Sequence, residues 1–186
     1  MFEKTDVLYL SVGDMNDLED VEVKLAHLPK SSSFHNLRVL IISECIELRY
    51  LFTLDVANTL SKLEHLQVYE CDNMEEIIHT EGRGEVTITF PKLKFLSLCG
   101  LPNLLGLCGN VHIINLPQLT ELKLNGIPGF TSIYPEKDVE TSSLLNKEVV
   151  IPNLEKLDIS YMKDLKEIWP CELGMRISKI GIEKFI

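Results

Sequence analysis

Apolar and polar positions fall into one short phrase that recurs along the whole chain. It reads Phe34-His35-Asn36-Leu37-Arg38-Val39-Leu40-Ile41-Ile42, then Phe90-Pro91-Lys92-Leu93-Lys94-Phe95-Leu96-Ser97-Leu98. It returns as Leu116-Pro117-Gln118-Leu119-Thr120-Glu121-Leu122-Lys123-Leu124 and as Ile151-Pro152-Asn153-Leu154-Glu155-Lys156-Leu157-Asp158-Ile159. Leu63-Glu64-His65-Leu66-Gln67-Val68 lacks only the proline, and fainter copies stand at Leu8-Tyr9-Leu10 and Ile177-Ser178-Lys179-Ile180-Gly181-Ile182. The last two apolar positions of each phrase alternate with polar or variable ones. That period of two predicts a short strand with one buried face.

Anchored on the middle leucine, the copies sit at Leu8, Leu40, Leu66, Leu96, Leu122, Leu157 and Ile180, with gaps of 32, 26, 30, 26, 35 and 23 residues. This is the period of leucine-rich repeats. It predicts an α/β-type repeat fold, a curved leucine-rich-repeat solenoid with short parallel strands on the concave face. Residues 1–186 read as one domain of about six repeats and part of a seventh. No single repeat can bury its own leucines, so stacked neighbours must share one core. Cys45 and Cys71, three residues past the last strand leucine, fill a slot where a small side chain turns inward; Leu101, Ile127 and Met162 take it elsewhere.

The return half of each repeat carries apolar pairs at Leu48/Leu51-Phe52, Met74/Ile77-Ile78, Phe130/Ile133-Tyr134 and Leu165/Ile168-Trp169. Their spacing of three predicts a convex side that is mostly irregular or 3₁₀-like, with Tyr134 and Trp169 in the core. Runs at Val86–Phe90, Val111–Ile114 and Val149–Ile151 are candidates for brief strands, and Leu54–Leu63 for a helical turn or two. Polar insertions at Glu22–Ser33, His79–Glu85 and Pro135–Lys147 read as surface loops.

Composition narrows the function. A formal charge of −10 argues against nucleic acid or an anionic membrane as partner, because both need a basic footprint. No stretch approaches the length of a spanning helix, and the charged start, Glu3-Lys4-Thr5-Asp6, is unlike a signal peptide. The five cysteines, Cys45, Cys71, Cys99, Cys108 and Cys171, are odd in number and form no C-x-x-C, and no Asn-x-Ser/Thr sequon occurs. These features predict reduced thiols and a cytoplasmic, intracellular domain.

Catalytic chemistry finds no frame. His27, His35, His65, His79 and His112 have no metal-ligand spacing, Glu75-Glu76 reads as a solvated pair on a turn, and Gly82-Arg83-Gly84 is too short for a phosphate loop. The chain is therefore read as a non-enzyme without cofactor or metal. The variable strand positions form three columns on the concave face: Val7, Val39, His65, Phe95, Glu121, Lys156, Lys179; Tyr9, Ile41, Gln67, Ser97, Lys123, Asp158, Gly181; and Ser11, Ser43, Tyr69, Cys99, Asn125, Ser160, Glu183. The early half is apolar and aromatic, the late half charged with alternating sign. A protein-binding face is expected at Tyr9, Val39, Ile41, His65, Gln67, Tyr69, Phe95, Lys123, Lys156 and Asp158.

The [FIL]-P-x-L-x-x-L-x-[LI] unit, the turn Glu70-Cys71-Asp72-Asn73-Met74-Glu75-Glu76-Ile77 and the block Met162-Lys163-Asp164-Leu165-Lys166-Glu167-Ile168-Trp169 resemble the leucine-rich-repeat region of plant nucleotide-binding immune receptors. The likeness is to the coiled-coil class and its lettuce-type clusters. It implies perception of a pathogen effector or a guarded host protein, and restraint of the receptor's nucleotide switch by intramolecular contact. ATP or ADP would belong to a nucleotide-binding module whose motifs these residues lack. The chain opens and closes on strands without polar caps, which predicts a fragment of a larger receptor with apolar ends. A substrate-recruiting domain of a ubiquitin ligase, or a stand-alone scaffolding repeat, is the alternative.

Overall fold

The computed structural model describes residues 6–11, 34–80, 87–108, 113–134, 143–145, 149–166, 168 and 179–183. The strand copies β1 (Val7–Leu10), β2 (Val39–Ser43), β4 (His65–Tyr69), β7 (Phe95–Cys99), β10 (Glu121–Asn125), β12 (Lys156–Ser160) and β13 (Lys179–Glu183) lie side by side in chain order. They form one seven-stranded sheet, parallel throughout. Leu8, Leu40, Leu66, Leu96, Leu122, Leu157 and Ile180 are direct register partners. The unequal gaps are absorbed outside the strands. A slip of one residue would turn every core leucine to water.

Two tight turns frame most repeats. Leu37, Leu63, Leu93 and Leu119 donate their N–H to the carbonyls of Phe34, Leu60, Phe90 and Leu116, at 3.0–3.4 Å. Pro91 and Pro117 take the second turn position, whose φ their rings pre-set, and both flanking apolar residues are buried. The second turn closes from Leu48 to Cys45, Met74 to Cys71, Leu104 to Leu101 and Leu165 to Met162. Its first residue is the small inward slot. Cys45 and Cys71 are fully buried there, and their Sγ atoms face the carbonyls of Ser43 and Tyr69. A hydrogen bond to Cys45, with burial, pushes the Cys71 thiol well above its ordinary pKa. Cys45, Cys71, Cys99 and Cys108 are not in disulfides.

Between strand and second turn stands one left-handed residue per repeat: Glu44, Glu70, Gly100, Gly126 and Tyr161, with φ of 51–62°. The first four donate their N–H to the carbonyl ending the next strand, at 2.8–3.1 Å. A Cβ on Gly126 would meet nothing closer than 3.7 Å, so its cost would be conformational. Gly126→Ala is expected to lower stability by about 1 kcal/mol, read as a shift of the urea midpoint at unchanged slope.

The return halves depart from the sequence reading. The first three are strands, β3 (Tyr50–Thr53), β5 (Glu76–His79) and β8 (Gly106–Cys108), which pair in parallel as a second sheet. Leu51-Phe52 and Ile77-Ile78 are adjacent buried pairs. Neighbours in an extended strand point to opposite sides, so one residue of each pair can meet the first sheet while the other meets a layer behind. The Phe52 ring lies 6.2 Å from that of Phe90. The later return halves hold only an isolated bridge, Ser132 to Ser143, among the described residues. The three β-prone runs form β6 (Thr87–Thr89), β9 (Ile113–Asn115) and β11 (Val149–Val150), a third parallel sheet. The helical turn is α1 (Leu54–Thr59), capped by Thr53, whose hydroxyl accepts from Val56 N–H.

Glu75 and Glu76 remain partly solvated, and each has a partner. Glu75 holds Arg49 through a forked contact at 2.8 and 3.0 Å. Glu76 opens β5 and meets His79 Nδ1 at 3.1 Å, and the His79 ring stacks on Tyr50. The turn closes at Met74, so both carboxylates follow it and Glu76 lies in the second sheet. Tyr134 packs half-buried against the core. Trp169, Cys171, His27, His112, Gly82–Gly84 and the Glu22–Ser33 insertion lie outside the described residues.

Candidate functional site: the exposed face of the long sheet

Alternation along the strands sends the register leucines inward and the variable residues to the other face. The three columns stand as register columns, from Val7–Val39–His65–Phe95–Glu121–Lys156 through Ser43–Tyr69–Cys99–Asn125–Ser160. Ser11 lies just past β1, and for Lys179, Gly181 and Glu183 the described feature is backbone pairing in β13.

Tyr9 is 68% exposed and Val7 43%, on β1, which has a described neighbour on one side. Further in, Val39, Ile41, His65, Gln67, Tyr69 and Phe95 are half-buried, because column neighbours about 4.8 Å apart shield one another. The rings of His65 and Phe95 approach to 5.9 Å at a tilt of 39°. The Tyr69 hydroxyl donates to Gln67 Oε1, which ties the third column to the middle one. In the late half Lys156 Nζ meets Glu121 Oε1 at 2.5 Å, and that bond raises the pKa of the ammonium. Lys123 and Asp158 are register partners in the middle column, both half-buried. Ser97 is fully buried, unlike Tyr9, Ile41, Gln67, Lys123 and Asp158 of its column. Its short side chain lies in register between the longer Gln67 and Lys123.

One column beside this face escaped the sequence reading. Arg38, Glu64, Lys94 and Thr120 precede their strands, and each carbonyl accepts two N–H groups from the next repeat, as Arg38 O does from Glu64 and His65 at 2.8 and 2.9 Å. Glu64 bridges Arg38 at 2.9 Å and Lys94 at 3.1 Å. The signal was present as alternating charge at the first variable position of L-x-x-L. The hydrogen bonds from Arg38 and then Lys94 hold the Glu64 carboxyl at about 2, below the ordinary 4.5. A carboxylate with a depressed pKa stabilises the fold above its unfolded pKa and loses that contribution as pH falls. Glu64→Gln is therefore expected to weaken the loss of stability between about pH 4.5 and 2. Urea titrations at pH 6 and pH 3 check this, and added salt should shrink the difference because the pairs are exposed.

Among the described residues no three His, Cys, Asp or Glu side chains group as metal ligands, and no helix is long and apolar enough to cross a membrane. Parallel strands stacked in register with shared leucines define a leucine-rich-repeat solenoid, a class whose open sheet face mediates protein–protein interaction. The sequence model for plant disease resistance protein RPS2-like leucine-rich repeats matches residues 7–146, more than half of the chain, and the chain belongs to that family. No curated protein and no solved structure matches it. The repeat of β12 lies beyond the matched segment and keeps the same register. The chain is thus a protein-interaction repeat domain of the plant defence class.

Proposed function

We propose that this domain is the recognition part of an intracellular plant immune receptor. It reads a pathogen effector or a guarded host protein on the exposed face of the long sheet, and in its absence contributes to holding the receptor's nucleotide switch at rest. The observation that supports this reading is the asymmetric face. An apolar and aromatic half, Tyr9, Val39, Ile41, His65 and Phe95, adjoins a charged half at Lys123, Lys156 and Asp158. Apolar anchors bordered by polar groups are how protein interfaces combine affinity with orientation.

In this reading the domain works in the cytoplasm, performs no catalysis and holds no cofactor. The nucleotide belongs to a separate module of the receptor. Ile41→Glu is the direct test, because it places a charge in the centre of the apolar half without touching the buried leucines. It is expected to leave the melting temperature within a few degrees of wild type and to abolish the recognition-dependent defence response in leaf cells expressing the receptor. An unchanged response would contradict the proposal.

A further inference from the structure

The flank that joins the first sheet to the second carries a different surface. Arg49, Glu75 and Leu105 stack there as a column, tied by backbone bonds of 2.7 Å from Glu75 N–H to Arg49 O and from Leu105 N–H to Glu75 O. Arg49 and Glu75 neutralise each other through their forked ion pair. Leu105 continues the column into water and is 71% exposed, more than any other large hydrophobic among the described residues. It is also the shared wall of two adjoining grooves of about 440 Å³ each. One groove runs past Asn73 to Glu47 and the Arg49–Glu75 pair. The other passes Pro102, Pro128 and Phe130 to Asp164.

The two grooves together are apolar in the middle and acidic at the ends. With Arg49 and Glu75 paired to each other, the linings keep one further carboxylate at each end, Glu47 in the first groove and Asp164 in the second. Asp164 is held in place by accepting the Gly129 N–H at 3.0 Å. From the turn of Glu47 to that of Asp164 the surface crosses repeats spaced about 4.8 Å apart, roughly 20 Å in all, the reach of about six extended residues. Charge complementarity favours a cationic visitor. It disfavours a second copy of this chain, whose own charge is −10.

We propose that this flank groove docks an extended peptide segment of a partner protein, with an apolar side chain on Leu105 and a Lys or Arg side chain toward Glu47 or Asp164. The site is separate from the sheet face and does not depend on it. Selection of displayed random heptapeptides on the whole chain tests it, with thermal melts to show that each variant is folded. Enriched peptides should pair an apolar residue with Lys or Arg. They should bind at least tenfold more weakly to Leu105→Ser and to the double variant Glu47→Lys with Asp164→Lys, and unchanged to Ile41→Glu. The inference is overturned by an empty selection, by peptides indifferent to Leu105→Ser, or by peptides lost with Ile41→Glu instead. Dimerisation of the chain that Leu105→Ser abolishes would assign the groove to a second copy and overturn it equally.

Discussion

Leu96→Ala should destabilise the domain by about 2–5 kcal/mol, the range for deleting a buried leucine side chain. Leu96 is buried in β7, the fourth strand of the long sheet, with Leu66 and Leu122 as its register partners on either side. A cavity there removes contacts to both neighbouring repeats. In a stacked array, stability is carried by each repeat and its interfaces with its neighbours, so a central lesion weakens two interfaces at once. Leu105→Ala, which removes the same atoms from an exposed position, should stay within about 0.5 kcal/mol of wild type. Urea melts of the pair decide the matter. Equal stabilities would mean that the register is wrong.

Phe52→Ala should cost about 3–5 kcal/mol. The ring is fully buried in β3 and lies against Phe90, which closes the turn leading into β7. It therefore links β3 of the second sheet to the turn that leads into β7 of the first. The same substitution separates two pictures of the return half. If that half were irregular backbone lying loosely on the first sheet, the chain could collapse into the void, and the cost would fall to the low end for a core deletion. A firmly paired β3–β5 ladder, with Phe52 opposite Ile78, cannot shift that way. A loss below about 2 kcal/mol in the urea midpoint would argue for the looser picture.

The long sheet was legible because its signal is local and repeated. A period of two, fixed turn chemistry and a leucine anchor place Val39, His65 and Phe95 in one column whatever the loops between them do. The return sheet was not legible. Adjacent apolar pairs such as Leu51-Phe52 carry no alternation, and whether they form strand or irregular turn depends on a layer behind them that no local pattern reports. Ser97 shows the same limit on the candidate face. Its position in the column was readable, but its burial follows from the lengths of Gln67 and Lys123 in neighbouring strands. The Arg38–Glu64–Lys94 ladder was readable in principle as alternating charge, yet its meaning appears only when residues 26 and 30 apart become neighbours.

The most direct test of the recognition role is a photo-crosslinking amino acid placed at Ile41, with Val150 as the control, in the receptor expressed in plant cells. Both sites have apolar side chains within reach of solvent, Ile41 in the middle of the long sheet's open face and Val150 on the third sheet, 47% exposed. A discrete protein adduct is expected from Ile41 and none from Val150. Adducts of equal yield from both positions, or from Val150 alone, would contradict a recognition surface on the long sheet.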